Sequence, residues 1–144
     1  MILYADASAL AKRYLAEAGS PEIEKLILQA EAVGTCLITR AEISAAIAKA
    51  VRTGALERAE AERILRTFRQ HWADIGSLQL TETLVAEADA LAWEFGLRGY
   101  DAVHLASARI WQETISEPVT LATFDKHLWE AAQKAGMEVW PDSL

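Results

Sequence analysis

Four acidic residues, Asp6, Glu42, Asp101 and Asp125, each lie where an apolar strand-like or loop segment gives way to a predicted helix. If the strands between them run parallel, these junctions can meet at one edge of a sheet, where open α/β folds bind their ligands. Negative charges brought within a few ångströms of one another repel strongly unless cations neutralise them. Carboxylate oxygens prefer hard ions, so the pattern predicts a metal site for Mg²⁺ or Mn²⁺.

Each of these acids also has a simpler structural interpretation. Asp6 and Asp125 are suitable N-caps for the helices predicted to follow them. Thr39 and Glu42 have the spacing of a capping box, in which the glutamate bonds back to the start of the helix. Asp101 lies in a predicted first turn, where a negative charge suits the helix dipole. Taken singly, each acid favours the structural interpretation, and only the joint pattern favours a metal site.

The composition fits a single domain spanning residues 1–144, which is long enough to bury one sizeable core. Hydrophobic residues make up 52% of the chain and charged residues 24%, as in ordinary globular proteins. No apolar run approaches the roughly 20 residues of a membrane-spanning helix, and no basic segment precedes an apolar one as in a secretory signal. The lone Cys36 excludes an intramolecular disulfide and a multi-cysteine zinc site. We therefore expect a cytoplasmic protein with no membrane association.

The net charge of −7 argues against a general nucleic-acid-binding protein, because such proteins are usually basic. A concentrated metal site would weaken this objection, since two divalent cations add +4 and change the formal charge from −7 to −3. The 14 basic residues are scattered along the chain and form no strong patch. Charge alone therefore leaves a nucleic-acid substrate open.

Strand-like and helical segments alternate along the chain. The sequence predicts strands over residues 1–5, 35–38, 77–80, 119–122 and 137–140. It predicts helices over residues 8–18, 21–32, 39–53, 56–73, 81–95, 101–113 and 125–135, the second of them with Ser20 as its N-cap. This alternation indicates an α/β fold with a mostly parallel sheet that is covered by helices on both faces.

Five segments occur in an order and at a spacing that match a known family. They read ILYADASAL at residues 2–10, TRAEI at 39–43, LRGYDAVHLA at 97–106, LATFD at 121–125 and GMEV at 136–139. The ordered set resembles the PIN-domain ribonucleases, and especially the VapC toxins of bacterial and archaeal toxin–antitoxin pairs. A short motif such as Asp-x-Ser carries little information alone, whereas the set covers essentially the whole chain and is specific.

The resemblance implies a three-layer α/β/α sandwich around a central, mostly parallel sheet. It implies that the four acids named above form a catalytic site that binds Mg²⁺ or Mn²⁺. Thr123 and Ser8 match hydroxyl positions near those acids and are expected to support them. The implied activity is cleavage of RNA phosphodiester bonds by a metal-dependent endoribonuclease that acts as a toxin. The implied partners are RNA, a cognate antitoxin that covers the site with a basic side chain, and a second copy in a homodimer.

Other residues near the acidic motifs have less specific roles. His104 follows Asp101 by three residues and shares its helix face, so we expect it to pack or hydrogen-bond beneath the site rather than bind the metal. Arg98 adjoins the same motif and could contact phosphate, although a solvated charge at a helix end is the more common role. The five tryptophans are expected to pack in the core or at interfaces.

Three alternative functions remain open at this point. The chain could be a housekeeping PIN nuclease, or a PIN-like module that binds RNA or a partner without cleavage. An aspartyl-phosphate phosphatase also places an aspartate after its first strand, but it usually has a second acid two residues later, where this chain has Ser8. The presence of all four acids favours a nuclease over the non-cleaving module, and Ser8 argues against the phosphatase.

Overall fold

Five strands form one sheet in the computed structural model, which describes residues 1–144. The strands are β1 (Ile2–Ala5), β2 (Ala32–Cys36), β3 (Gly76–Leu78), β4 (Val119–Ala122) and β5 (Glu138–Trp140). They pair in the order β3-β2-β1-β4-β5, and every neighbouring pair is parallel. Parallel pairing requires a crossover between successive strands, and the helices supply it.

Helices connect the strands and cover the sheet. They are α1 (Ala7–Leu10), α2 (Ser20–Gln29), α3 (Thr39–Arg52), α4 (Arg58–His71), α5 (Glu82–Phe95), α6 (Gly99–Ile115) and α7 (Lys126–Lys134). Short 3₁₀ turns follow α1 and α4 at Ala11–Arg13 and Trp72–Asp74. None of the helices combines the length and the apolar character that crossing a membrane requires.

Buried side chains alternate between the two faces of the sheet. In β1, Leu3 and Ala5 join a core that also contains apolar residues of α2, α3 and α4. Tyr4 joins a second core on the opposite face, together with residues of α5, α6 and α7. Successive side chains of a strand point to opposite faces, so one strand supplies both cores. The predicted three-layer α/β/α fold with a parallel sheet is confirmed.

The order of the strands reverses between β1 and β4. The chain adds β2 and β3 on one side of β1 and later adds β4 and β5 on the other side. Crevices for ligands form at such a reversal, beyond the carboxyl ends of the strands. Ala5 pairs with Ala122 at this point, and the Asp6 N–H donates to the Ala122 carbonyl at 3.1 Å. Asp6 therefore lies directly beside the segment that follows β4.

The first helix is shorter than predicted, so the prediction of one helix over residues 8–18 is wrong. α1 has four residues, and after the 3₁₀ turn the chain bends back toward α2. Ser20 stabilises this bend because its hydroxyl donates to the Leu15 carbonyl at 2.9 Å. Ser20 is consequently not the N-cap of α2. Gly19 occupies that position with a φ of 88°, which is accessible to glycine at little cost.

The capping box predicted at the start of α3 is absent. The Thr39 hydroxyl lies 2.7 Å from the Thr35 hydroxyl, and Thr35 in turn donates to the Ala5 carbonyl at 2.7 Å. The N-cap residue is Ile38, and it has no side-chain hydrogen bond to the helix. Glu42 is therefore free of a capping role, and its carboxylate bonds instead to a side chain of α6.

The second strand begins three residues before the predicted one and ends before Leu37. It spans Ala32–Cys36 and aligns with β1 so that Tyr4 pairs with Gly34. Gly34 faces the ring of Trp111 on α6, which leaves no space for a side chain at that position. A glycine in the middle of the segment obscured the strand, since glycine is uncommon in strand interiors.

Candidate metal centre

Asp6 is held at the end of β1 by three hydrogen bonds. It is the N-cap of α1, and its Oδ1 accepts from the Ala9 N–H at 2.9 Å and from the Ser8 hydroxyl at 2.7 Å. Its Oδ2 accepts from the Thr123 hydroxyl at 2.6 Å. Burial raises the pKa of Asp6 above its ordinary value, although the charge of His104 and these hydrogen bonds oppose the shift. The carboxylate is fixed in direction and costly to ionise.

Thr123 links Asp6 and Asp125, the first and last of the four candidate acids. Its hydroxyl donates to Asp6 and accepts from the Asp125 N–H at 3.0 Å. Ser8 lies 3.3 Å from the same hydroxyl and accepts from the Phe124 N–H at 2.8 Å. The two hydroxyls thus join the loop after β4 to the start of α1. A supporting role of Thr123 and Ser8 in the site stays a prediction.

Asp101 and Asp125 share one positive charge. Arg98 donates from Nε to Asp101 Oδ2 at 3.0 Å and from Nη2 to Asp125 Oδ2 at 2.7 Å. The second oxygen of Asp125 caps α7 by accepting from the Leu128 N–H at 3.0 Å. Burial and the negative charge of Asp125 raise the pKa of Asp101, and Arg98 opposes that shift. The guanidinium therefore takes the position of a shared cation between two acids.

Glu42 bonds to a buried histidine and not directly to another acid. Its Oε1 lies 2.7 Å from Nε2 of His104, which is on α6 one turn after Asp101. The second ring nitrogen of His104, Nδ1, lies 2.8 Å from the Tyr4 hydroxyl. Burial lowers the pKa of His104, but the hydrogen bond to Glu42 and the charge of Asp6 outweigh it, so the pKa is raised overall. His104 thus lies beneath the site, as the sequence suggested.

The four acids differ in their exposure to solvent. The Asp6 and Asp101 residues are each 3% exposed, whereas the Asp125 and Glu42 side chains are 23% and 25% exposed. Glu42 also borders a groove of about 490 Å³ between α1 and α3, whose walls include Ser8, Lys12 and Lys49. The site therefore has a buried side at Asp6 and Asp101 and an open side at the other two acids.

The donor chemistry of the site fits a hard divalent cation. All four carboxylates supply oxygen, and Asp101 and Asp125 already share a cationic group in Arg98. As the side chains are arranged, no three acidic, histidine or cysteine groups are close enough to share an ion. Binding by all four acids would require some side chains to turn, Arg98 first among them. Metal ligation by this set stays a prediction.

Sequence reasoning missed two contacts of the site. Arg98 was assigned a solvated position at a helix end, yet it pairs with two of the acids. Its spacing of three residues from Asp101 was a usable signal, because side chains three apart on a helix are neighbours. The Tyr4 hydroxyl had no comparable signal, since 100 residues separate it from His104.

The arrangement can be compared with known proteins. The family model described as the PIN domain matches residues 3–134. The chain belongs to the PIN-domain family. This membership confirms the resemblance inferred from the ordered motifs.

Relatives of this PIN domain include ribonuclease VapC45 of Mycobacterium tuberculosis, which is 34% identical over 144 residues and is matched over 99% of this chain and 97% of its own length. Among solved structures, PAE2754 from Pyrobaculum aerophilum has a TM-score of 0.66 at 24% identity and covers 96% of this chain and 83% of its own. A toxin–antitoxin complex from Klebsiella pneumoniae has a TM-score of 0.63 at 17% identity, with 87% of both chains covered. At these identities the two structures establish the fold alone.

Proposed function

We propose that this PIN domain is a metal-dependent endoribonuclease that acts as the toxin of a toxin–antitoxin pair. The observation that carries the proposal is a hydrogen-bonded network of three acids, Asp6, Asp101 and Asp125, beyond the carboxyl ends of β1 and β4. Glu42, the fourth acid, bonds to His104, and the charges of Asp6 and Asp101 also act on that ring. Full-length similarity to a protein named ribonuclease VapC45 supports RNA as the substrate. Action on RNA would take place in the cytoplasm.

The four acids would hold one or two Mg²⁺ or Mn²⁺ ions. A bound divalent ion would lower the pKa of a coordinated water and offset negative charge on the scissile phosphate. Asp6 and Asp101 form the buried side of the site, and the more exposed Asp125 and Glu42 complete it. Thr123 and Ser8 hold Asp6 in a fixed direction through their hydroxyl groups.

RNA would approach from the open side of the site. The groove beside Glu42 runs between α1 and α3 and carries Lys12 and Lys49 on its walls. Lysine side chains favour phosphate, and Glu17 and Glu42 on the same walls balance their charge. The groove thus offers a path along which a strand could enter while its phosphate reaches the acids.

An antitoxin is the second proposed partner. Arg98 lies between Asp101 and Asp125, so the site accommodates a guanidinium group without steric conflict. A basic side chain from another protein could occupy the same oxygens and exclude a metal ion. The solved complex from Klebsiella pneumoniae, described as a toxin–antitoxin complex, has the same fold and supports this partner.

A homodimer is also proposed for this chain. Trp93 is 91% exposed and Val85, eight residues earlier on the same face of α5, is 47% exposed. Exposed apolar groups of this size favour burial against another surface. Sedimentation of the purified protein would detect the dimer, and a monomer at every concentration would contradict it.

The activity is tested by incubating the protein with single-stranded RNA in Mg²⁺ or Mn²⁺. We expect cleavage that disappears with EDTA and with Asp101→Asn. The matched control is Asp89→Asn, which removes an exposed acid of α5 outside the site and should leave cleavage unchanged. Retained cleavage by a folded Asp101→Asn protein would overturn the role of Asp101. Tight RNA binding without any product would instead favour a module that binds without cutting.

A further inference from the structure

His104 is a buried ionisable residue that the proposed chemistry does not use. It is 1% exposed, yet both of its ring nitrogens have partners on other elements. Nε2 lies 2.7 Å from Glu42 on α3, and Nδ1 lies 2.8 Å from the Tyr4 hydroxyl on β1. Buried polar groups without a partner destabilise a fold, and this histidine has two well-placed partners. The contacts span three elements and end at one of the four acids.

The partners determine which nitrogen carries a proton. An ionised carboxylate only accepts hydrogen bonds, so Nε2 must donate to Glu42. A hydroxyl can both donate and accept, so Tyr4 satisfies Nδ1 whether or not that nitrogen is protonated. Burial raises the pKa of Tyr4, which keeps its hydroxyl neutral and available as this partner. The Nε2–H bond to Glu42 is therefore present in either charge state of the ring.

Glu42 needs such a bond to remain in the site. Its side chain has three rotatable bonds, is 25% exposed, and borders the open groove. Repulsion from Asp6 and Asp101 would favour rotation of the carboxylate toward solvent. The bond to His104 engages Oε1 and leaves Oε2 without a protein partner.

We propose that His104 is a positioning residue that holds Glu42 by Oε1 so that Oε2 faces the metal site, with Tyr4 fixing the orientation of the ring. The inference rests on the proposed function in one respect, which is that the Glu42 carboxylate binds the metal ion. The side-chain contacts themselves exist without metal or RNA. Partners of this kind behind a ligand typically change metal affinity or activity by roughly 10- to 100-fold when they are removed.

The first measurement is made on the metal-free protein. Imidazole ¹⁵N NMR should show His104 with a protonated Nε2 whose resonance shifts in Glu42→Ala and in Tyr4→Phe. The chain supplies a matched control in Tyr14→Phe, because the Tyr14 hydroxyl bonds to Nδ1 of His71 at 3.1 Å and that pair contacts none of the four acids. A His104 resonance that is identical in wild type and Glu42→Ala would overturn the proposal.

The second measurement is Mn²⁺ affinity by calorimetry. We expect His104→Leu to weaken binding roughly 10- to 100-fold, and Tyr4→Phe by a smaller factor. His104→Gln retains an N–H donor near the position of Nε2 and should restore most of the affinity. In a Glu42→Ala background these changes should have little further effect, because the group that they position is absent. Wild-type affinity in a folded His104→Leu protein would contradict the proposal.

These experiments separate the two proposals. If the wild-type protein cleaves no RNA with either ion, the proposed activity fails, whereas coupling of the His104 resonance to Glu42 would still support the positioning role. If the wild type cleaves RNA while the His104 and Tyr4 variants match it in affinity and rate, the positioning role fails alone. Should His104→Leu not fold, the nearly isosteric Tyr4→Phe and the donor-retaining His104→Gln carry the test.

Discussion

Asp6 accepts hydrogen bonds from one backbone N–H and two hydroxyls, whereas Asp101 relies on the guanidinium of Arg98. The donors to Asp6 are fixed by the ends of β1 and β4. The Arg98 side chain is 59% exposed and can move away without disturbing the core. The Asp6 carboxylate is therefore preorganised, whereas Asp101 and Asp125 hold an exchangeable cation.

Replacement of Arg98 tests this exchange. Its nitrogens bond to one oxygen each of Asp101 and Asp125, so a metal ion would compete for the same atoms. We expect Arg98→Gln to tighten Mn²⁺ binding several-fold and to lower the melting temperature of the EDTA-treated protein. Calorimetry and thermal unfolding measure the two effects. Arg40→Gln removes the same charge near another acidic motif and serves as the control. Weaker Mn²⁺ binding in Arg98→Gln would contradict a competitive role.

Removal of the Thr123 hydroxyl tests whether the hydrogen bonds to Asp6 preorganise its carboxylate. Thr123→Val keeps the shape of the side chain, deprives Asp6 of a donor and leaves the Asp125 N–H without its acceptor. A lost partner in a buried network costs roughly 1–3 kcal/mol, and we expect a loss of this size in urea unfolding together with weaker Mn²⁺ binding. Thr114→Val removes an exposed hydroxyl that bonds only to a helix carbonyl and should change little. Equal stability of wild type and Thr123→Val would refute the role of the hydroxyl.

The individual acids could be identified from the sequence because each follows a strand or begins a helix, which are local features. Contacts of Glu42 could not be identified in the same way. Its spacing from Thr39 suggested a capping box, but the carboxylate bonds to His104, 62 residues later. A local pattern predicts where a residue lies on its helix, and only the tertiary arrangement of the helices around the sheet brings the Glu42 carboxylate to His104 on α6.

At the scale of single elements, the largest error concerned the segment after β1. Residues 8–18 have helix-forming composition, yet the helix ends early because Lys12 and Ser20 bond to carbonyls within the bend. These local side-chain bonds give backbone carbonyls partners other than helical N–H groups. By contrast, β4 and the N-cap of α7 matched their predictions, since an apolar run followed by a capping aspartate is a strong local signal.

Packing of α6 on β2 depends on a glycine. A Cβ atom at Gly34 would lie 2.5 Å from Cζ3 of Trp111, so Gly34→Ala must displace the ring or the strand. Overpacking of this kind costs roughly 1–3 kcal/mol, which denaturant unfolding would detect. Gly99→Ala, at a helical position with open space around it, is the control and should be neutral or slightly stabilising. Trp111→Leu should relieve much of the effect in the double variant, and additive losses would contradict the steric explanation.

At the scale of the whole molecule, alternation of strands and helices was sufficient to predict a parallel sheet covered on both faces. The order of the strands was not predictable from the pattern, because each strand is short and several orders bury the same apolar residues. The order of the strands determines which acids lie close together in the site. With β4 placed beside β1, Asp6 and Asp125 become neighbours although 119 positions separate them in the sequence.

Clustering of ionisable groups makes the stability of the whole molecule depend on pH. The pKa values of Asp6, Asp101 and His104 are all raised, so the native state binds protons more tightly than the unfolded chain. The resulting stabilisation is complete below the unfolded pKa values, about 3.9 for aspartate and 6.5 for histidine, and is lost as pH rises through the raised values. We expect the EDTA-treated protein to lose stability as the pH rises above about 3.9 through the two aspartates and above about 6.5 through His104.

A metal ion that binds the ionised acids should reverse this loss. Mn²⁺ at 100 times its dissociation constant would stabilise the native state by about 2.7 kcal/mol, and the effect should be largest at high pH, where the acids are deprotonated. Denaturant unfolding at several pH values, with EDTA or with Mn²⁺, measures how the free energy of unfolding changes with pH in the metal-free and the metal-bound protein. Asp6→Asn cannot ionise and should flatten the metal-free profile, whereas the exposed Asp89→Asn should not. A metal-free stability that rises with pH would contradict the direction of all three pKa shifts.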